Sequence, residues 1–324
     1  MTEKDITKIR IGKSAISIIG LSLLIILFML GSVQSSSGSD GPRIVDFDKT
    51  IPVARPGEGQ HDRLSLKVAV GAMISPKETF VYYRQLLDYL ASNLGREVQL
   101  VQRKTYREVN ELIGKGQIDL AFICSGPYVS GNERYGFELL ATPEVQGSHF
   151  YHSYLIVNKE SPFQSLEDLK GRVFAFTDPD SLTGRLVPTF WLAEMDERPE
   201  TFFAKVIYTY SHDNSILAVA RGLVDGAAVD GLVWEYYQHK NPSWTSGTRV
   251  IRKSEPYGIP PVVASNALPL ELKERIQHLL LSMHQDAASR KILQELMIDR
   301  FLAPQEEWYD TVREVERKLT IGSE

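Results

Sequence analysis

The sequence predicts an α/β protein of two lobes with a cleft between them, preceded by an N-terminal transmembrane or signal-anchor helix. Three observations carry that expectation. From residue 64 onward, short apolar runs alternate with amphipathic stretches, the pattern of strands covered by helices. The alternation comes in two series joined by extended crossings, and a helical tail returns the chain to the first. The first 31 residues follow neither pattern: Lys4, Lys8, Arg10 and Lys13 precede an uncharged apolar run over 15–31.

Taken in order, residues 1–14 read as a basic cytoplasmic tail and 15–31 as the helix it orients, since positive charge stays inside. At about 1.5 Å per residue the run is roughly 25 Å long, near the lower limit for a bilayer and longer than the apolar part of most cleaved signals. An uncleaved anchor is therefore expected, with cleavage near Val33-Gln34-Ser35 as the alternative. Residues 32–63 open Ser/Gly-rich and read as a linker. A first series follows: strand 66–72, helix 78–94 with Leu86, Leu87, Leu90 and Leu94 at helical spacing, strand 98–101, helix 106–113, strand 118–123. The second runs through extended 154–157, a short helix at 165–169, strand 172–176, helix 182–194, strand 205–210, helix 214–221, strand 226–229, helix 232–238 and extended 249–252. Helices at 269–283, 287–297 and 304–318 end the chain. One lobe is thus expected from 64–153 with 254–324, the other from 154–253.

Composition narrows the function. The chain has 324 residues, 43% hydrophobic and 24% charged, enough for a large core. Its net charge is −5, and the four basic and two acidic residues of the first 13 leave the remainder at −7. No basic run interleaved with aromatics occurs, so nucleic acid is excluded as a partner. The only cysteine, Cys124, lies in an apolar strand and can form no internal disulfide. No metal-spaced ligand set, no Gly-x-Ser-x-Gly elbow and no Gly-rich phosphate loop is present. Neither an enzyme nor a bound cofactor is expected.

Ligand sites on open α/β sheets lie beyond the carboxyl ends of strands, and polar clusters stand there. Strand 172–176 runs into Thr177-Asp-Pro-Asp-Ser181-Leu182-Thr183-Gly184, turn chemistry followed by a helix start. Such a helix N-terminus offers unpaired N–H groups and a partial positive charge to an anion. Ser181 can instead merely cap the helix. Strand 205–210 is followed by His212, a candidate donor, and strand 226–229 by Asp230, which can cap a helix or accept from a ligand. Ser125-Gly-Pro-Tyr128 breaks strand 118–123 and leaves the Tyr128 hydroxyl facing the cleft. Phe80, Tyr82 and Tyr83 stand on the first turn of helix 78–94, where they can close the cleft from the first lobe or simply pack.

Six segments together resemble a known family: VYYRQLLDYL (81–90), GQIDLAF (116–122), GPYV (126–129), DPDSLTGRLVP (178–188), SHDNSI (211–216) and GLVDGAA (222–228). In order and spacing they are similar to the phosphate/phosphite/phosphonate-type substrate-binding proteins of ABC transporters, a family with a type II periplasmic-binding fold. The resemblance covers about residues 64–315. It implies an anion cradle at Ser181, Leu182 and Thr183, a cleft histidine at His212, a tyrosine at Tyr128, a first-lobe aromatic at Tyr82 or Phe80, and an acid at Asp230. Leu182 departs from the family's Ser-Thr-Ser by lacking a hydroxyl. The expected function is extracytoplasmic capture of a small oxyanion, a phosphonate, phosphite or related phosphorus compound, for an ABC permease. A ligand-sensing partner of a membrane signalling receptor, or a binding protein for a sulfonate or heterocycle, are the alternatives.

Overall fold

In the computed structural model, residues 65–71 and 75–321 are described, all within the unit Gly57–Glu324. The expected anchor at 15–31 and linker at 32–63 lie outside the described residues. Among the described residues no helix is long and apolar enough to cross a membrane.

Strand β1 (Ser65–Val70) leads into helix α1 (Pro76–Leu94), whose buried face is Leu86, Leu87, Leu90 and Leu94. Gly95 ends it in the left-handed region at φ 62°, a conformation glycine adopts freely. Strand β2 (Glu97–Val101) precedes α2 (Tyr106–Gly114), started by a reciprocal capping box between Thr105 and Glu108. Strand β3 (Leu120–Phe122) runs directly into α3 (Ser125–Tyr135), where sequence reading expects only a turn. Pro127 sits in its first turn, where a missing N–H leaves no helical bond unmade. Strands β2, β1 and β3 are parallel. With β4 (Glu138–Glu144), β12 (Val262–Ala264) and β13 (Arg300–Leu302) they form a six-stranded sheet in the order β13-β4-β12-β3-β1-β2.

The second sheet has five strands. Strands β7 (Val173–Phe176), β8 (Lys205–Tyr208) and β9 (Gly226–Asp230) are parallel, β6 (Ser153–Asn158) adds antiparallel beside β9, and β10 (Thr248–Lys253) adds antiparallel beside β6. A two-stranded ribbon of β5 (Phe150–Tyr151) and β11 (Tyr257–Gly258) lies where the chain crosses between the sheets.

The helix expected at 182–194 is two structures. Leu182–Leu186 is a π turn, and α4 (Val187–Ala193) begins after it. Pro188 has no N–H to give the Gly184 carbonyl, which instead accepts from Thr177 N at 3.3 Å, while Ser181 O takes both Arg185 N and Leu186 N. Gly184 is required, because a Cβ there would lie 1.8 Å from Thr177 Oγ1.

Candidate functional site

Three adjacent parallel strands, β8, β7 and β9, deliver their carboxyl ends to one place, and each end carries a polar side chain. At the end of β7, Ser181 is buried and caps the π turn, its Oγ accepting from Gly184 N at 3.1 Å. That leaves the hydroxyl proton to donate. Thr183 is buried and its Oγ1 has no partner among the described residues. The amides of Leu182 and Thr183 lie in the first turn, where helical bonds cannot reach them. The Leu182 side chain is buried in the core. Its amide acts on the Cys124 thiol, which burial pushes up to about 11.

After β8, Tyr210 takes φ 60°, unusual for a residue with a Cβ, and turns the chain sharply into α5 (His212–Ala220). His212 is therefore the first helical residue rather than the tip of a strand. It is fully buried, and Asp230 N donates to its Nδ1 at 2.9 Å. Burial holds it down at about 3, so the ring is neutral at physiological pH. A neutral imidazole whose Nδ1 accepts carries its proton on Nε2. That Nε2–H is buried and has no acceptor among the described residues. Ser211 Oγ beside it is likewise buried and unpartnered. An N–H donor in that condition costs about 1–3 kcal/mol unless an acceptor arrives.

At the end of β9, Asp230 caps α6 (Gly231–Lys240), its Oδ1 accepting from Leu232 N at 2.8 Å and Val233 N at 3.3 Å. Burial pushes it up to about 7, the two amides pulling the other way. Among the described residues no cluster of three or more His, Cys, Asp or Glu is placed to hold a metal ion.

The first lobe meets these strand ends closely. A Cβ on Gly126 would lie 3.0 Å from Asp180 O and 3.2 Å from Leu182 N, so the start of α3 is packed onto the cradle. Ser75, N-cap of α1, makes no side-chain cap, and its N–H donates instead to Asp213 Oδ1 across the cleft at 3.0 Å. Tyr106, first in α2, donates its N–H to Asp178 Oδ2 at 3.3 Å, and Arg107 pairs with Asp180 at 3.2 Å. Two first-lobe helices thus have N-terminal amides satisfied by second-lobe acids. The buried Tyr106 hydroxyl faces the Cys124 sulfur, a weak acceptor, and has no other partner among the described residues. A cavity of about 140 Å³ continues from Asp230 between the lobes, with Tyr82, Tyr83 and Phe122 on one wall and Val233 and Tyr236 on the other.

The structure therefore brings Ser181, Thr183, His212 and Asp230 together. Tyr82 stands on the cavity wall, its ring edge-on to Tyr236 at 5.1 Å, and burial and Glu78 push its hydroxyl up to about 12. Two residues go elsewhere. The Tyr128 hydroxyl donates to Glu306 at 2.6 Å and its ring packs on Tyr309, so it serves the C-terminal segment instead of facing the cleft. Phe80 is 50% exposed beneath Arg84 and stands outside the cavity. Tyr106 and the capping pair Asp178 and Asp213 belong to the site without having been singled out. Tyr106 reads as an ordinary core position behind a capping box, and only tertiary packing aims its hydroxyl.

Comparison with known proteins gives the family and the fold. Residues 68–309 match the family described as the ABC transporter, phosphonate, periplasmic substrate-binding protein. The chain belongs to that family. It is 28% identical over 262 residues to the phosphate-import protein PhnD of Mycolicibacterium smegmatis, covering 75% of this chain and 76% of that one. The binding component of an ABC phosphonate transporter from Pseudomonas aeruginosa superposes with a TM-score of 0.74 at 24% identity, over 78% of this chain and 85% of that one. PhnD1 of Prochlorococcus marinus, in complex with methylphosphonate, gives 0.72 at 21%, over 79% and 98%. At such identities the two structures share the fold, the two-lobed periplasmic-binding arrangement. The family is one of transport components, not of enzymes, and its place is extracytoplasmic.

Proposed function

We propose that the protein captures a small phosphorus oxyanion of the phosphonate or phosphite class between its lobes and presents it to an ABC permease. One observation carries the reading: among the described residues the neutral His212 holds its Nε2–H buried and unanswered, and Thr183 Oγ1 and Ser211 Oγ at the adjoining strand ends are in the same condition. Several orphaned hydrogen-bonding groups at adjoining strand ends are costly unless a ligand with several acceptor oxygens meets them. A tetrahedral oxyanion has that shape. Ser181 donates its hydroxyl proton, the amides at the π turn add their dipoles, and closure of the first lobe excludes water. Ligands of the relatives point the same way, since one is bound to methylphosphonate and another imports phosphate. Residues 15–31 would tether the binding unit to the membrane, with lobe boundaries near 153/154 and 253/254.

Calorimetric titration with methylphosphonate, phosphite and phosphate tests the reading. His212→Ala and Thr183→Ala should each weaken the best ligand about ten- to hundredfold, the worth of a hydrogen bond to a charged group. Unchanged titrations in both variants would sink it.

A further inference from the structure

The interlobe cavity is the feature this reading leaves unused. Asp230 is the residue it shares with the strand-end cluster: its amide is bound to His212 Nδ1, while Ser181, Thr183, Ser211 and His212 themselves stand behind it and do not line the cavity. Tyr83, Phe122, Val233, Leu296 and Ile298 are among the side chains that line it. Its volume, about 140 Å³, is close to that of a dry apolar cavity of ~150 Å³ that takes up benzene. Two carboxylates touch the wall, and three of their four oxygens accept hydrogen bonds. Asp230 Oδ1 holds the Leu232 and Val233 amides, while Glu235 accepts from the Tyr154 hydroxyl and from Gln146 Nε2. Burial pushes Asp230 up to about 7, which weakens any pull on a cation near neutrality. Gln146 at φ 53° and Met297 at φ 56° both line the space in the left-handed region. Both conformations belong to local structure, a tight turn between Val145 and Ser148 and the cap that ends the helix Ala287–Glu295, so the backbone of these walls is fixed without a ligand.

Resting on the oxyanion reading, we propose that this cavity receives an uncharged, apolar substituent carried on the ligand's phosphorus atom. The preferred ligands are then alkyl- or arylphosphonates, and neither aminoalkylphosphonates nor inorganic phosphate. The donors fix the oxyanion head, and the apolar walls reward the tail by removing it from water.

Titration of the protein with methyl-, propyl-, phenyl- and 2-aminoethylphosphonate tests this. Propyl and 2-aminoethyl have nearly the same length and differ in a terminal methyl against an ammonium. Affinity should rise about fourfold per added methylene, and propyl should exceed 2-aminoethyl by tenfold or more. Phenylphosphonate should bind more tightly than methylphosphonate, and Ile298→Trp should cut that ratio at least tenfold. Because both ligands are read in the same variant, a general loss of folded protein cancels. An ammonium that binds as well as propyl, a chain length that adds nothing, or a ratio unmoved by Ile298→Trp overturns the inference while methylphosphonate binding keeps the oxyanion reading. If none of the four ligands binds, both fail.

Discussion

The two sides of the cleft are made from the same βα units and are finished in opposite ways. On the second-lobe side, Thr183, Ser211 and His212 end in buried hydrogen-bonding atoms that no described residue answers. On the first-lobe side, helix amides at Ser75 and Tyr106 are answered, by Asp213 and Asp178 reaching across, and the facing side chains are the rings of Tyr82, Tyr83 and Phe122. One lobe is unsatisfied without a guest. The other has these helix amides satisfied by closing. The difference teaches how the labour divides: the second lobe grips the charged head, and the first supplies the lid and the apolar wall, held shut by the second lobe's own acids.

The strongest way to break that division is to stop the lid from seating. Gly126→Ala places a methyl 3.0 Å from Asp180 O and 3.2 Å from Leu182 N. Overpacking of this kind costs about 1–3 kcal/mol, which on closure is roughly ten- to hundredfold in affinity. The expected result is faster ligand release by stopped-flow fluorescence with an unchanged melting curve for the free protein, because the clash arises only between lobes. Unaltered release would show that the contact does not form on closure.

A smaller effect isolates the acids. Asp213→Asn and Asp178→Asn keep an acceptor oxygen and remove the charge from the bond to the Ser75 and Tyr106 amides. Each should cost about 1 kcal/mol, roughly fivefold in affinity, carried by the off-rate. Neither should alter the order of preference among ligands, since both bonds hold the lobes together and neither side chain lines the cavity. A changed ligand order would place these acids in the binding site proper.

Much of this contrast is legible in the sequence, and the remainder is not for identifiable reasons. The Leu86-Leu87-Leu90-Leu94 stripe marks the buried face of α1, because helical periodicity alone dictates it. Ser181, His212 and Asp230 stand out as polar groups that close apolar runs. Leu182, where the related family carries a hydroxyl, is buried in the core, and its amide faces the Cys124 sulfur. What local pattern cannot give is direction. Tyr128 follows a Gly-Pro step at a strand end, yet its hydroxyl finds Glu306, far along the chain. Phe80 shares the exposed phase of Val81 and Arg84 on α1, so the helix turns it to solvent and Tyr82 and Tyr83 inward. The π turn was hidden too, since it follows from Pro188 acting on Gly184 and from Thr177 taking the freed carbonyl.

A last test stays within the second-lobe side and reads the pH dependence of folding. His212 and Asp230 are linked through one backbone bond and are displaced by burial in ways that oppose each other. The folded state holds His212 at about 3 against an ordinary 6.5, so the unfolded chain binds the extra proton and stability rises with pH between those values. Asp230 is held at about 7 against 3.8, so the folded state binds the extra proton, and stability is lost as pH rises through that window. Between about pH 4 and 6.5 the two slopes largely offset. Removing one partner should therefore expose the other. Asp230→Asn should make the melting temperature climb with pH across this window, and His212→Gln should make it fall. Two variants with the same slope as the unsubstituted protein would mean that neither group titrates in its buried setting, and the neutral His212 donor would lose its footing.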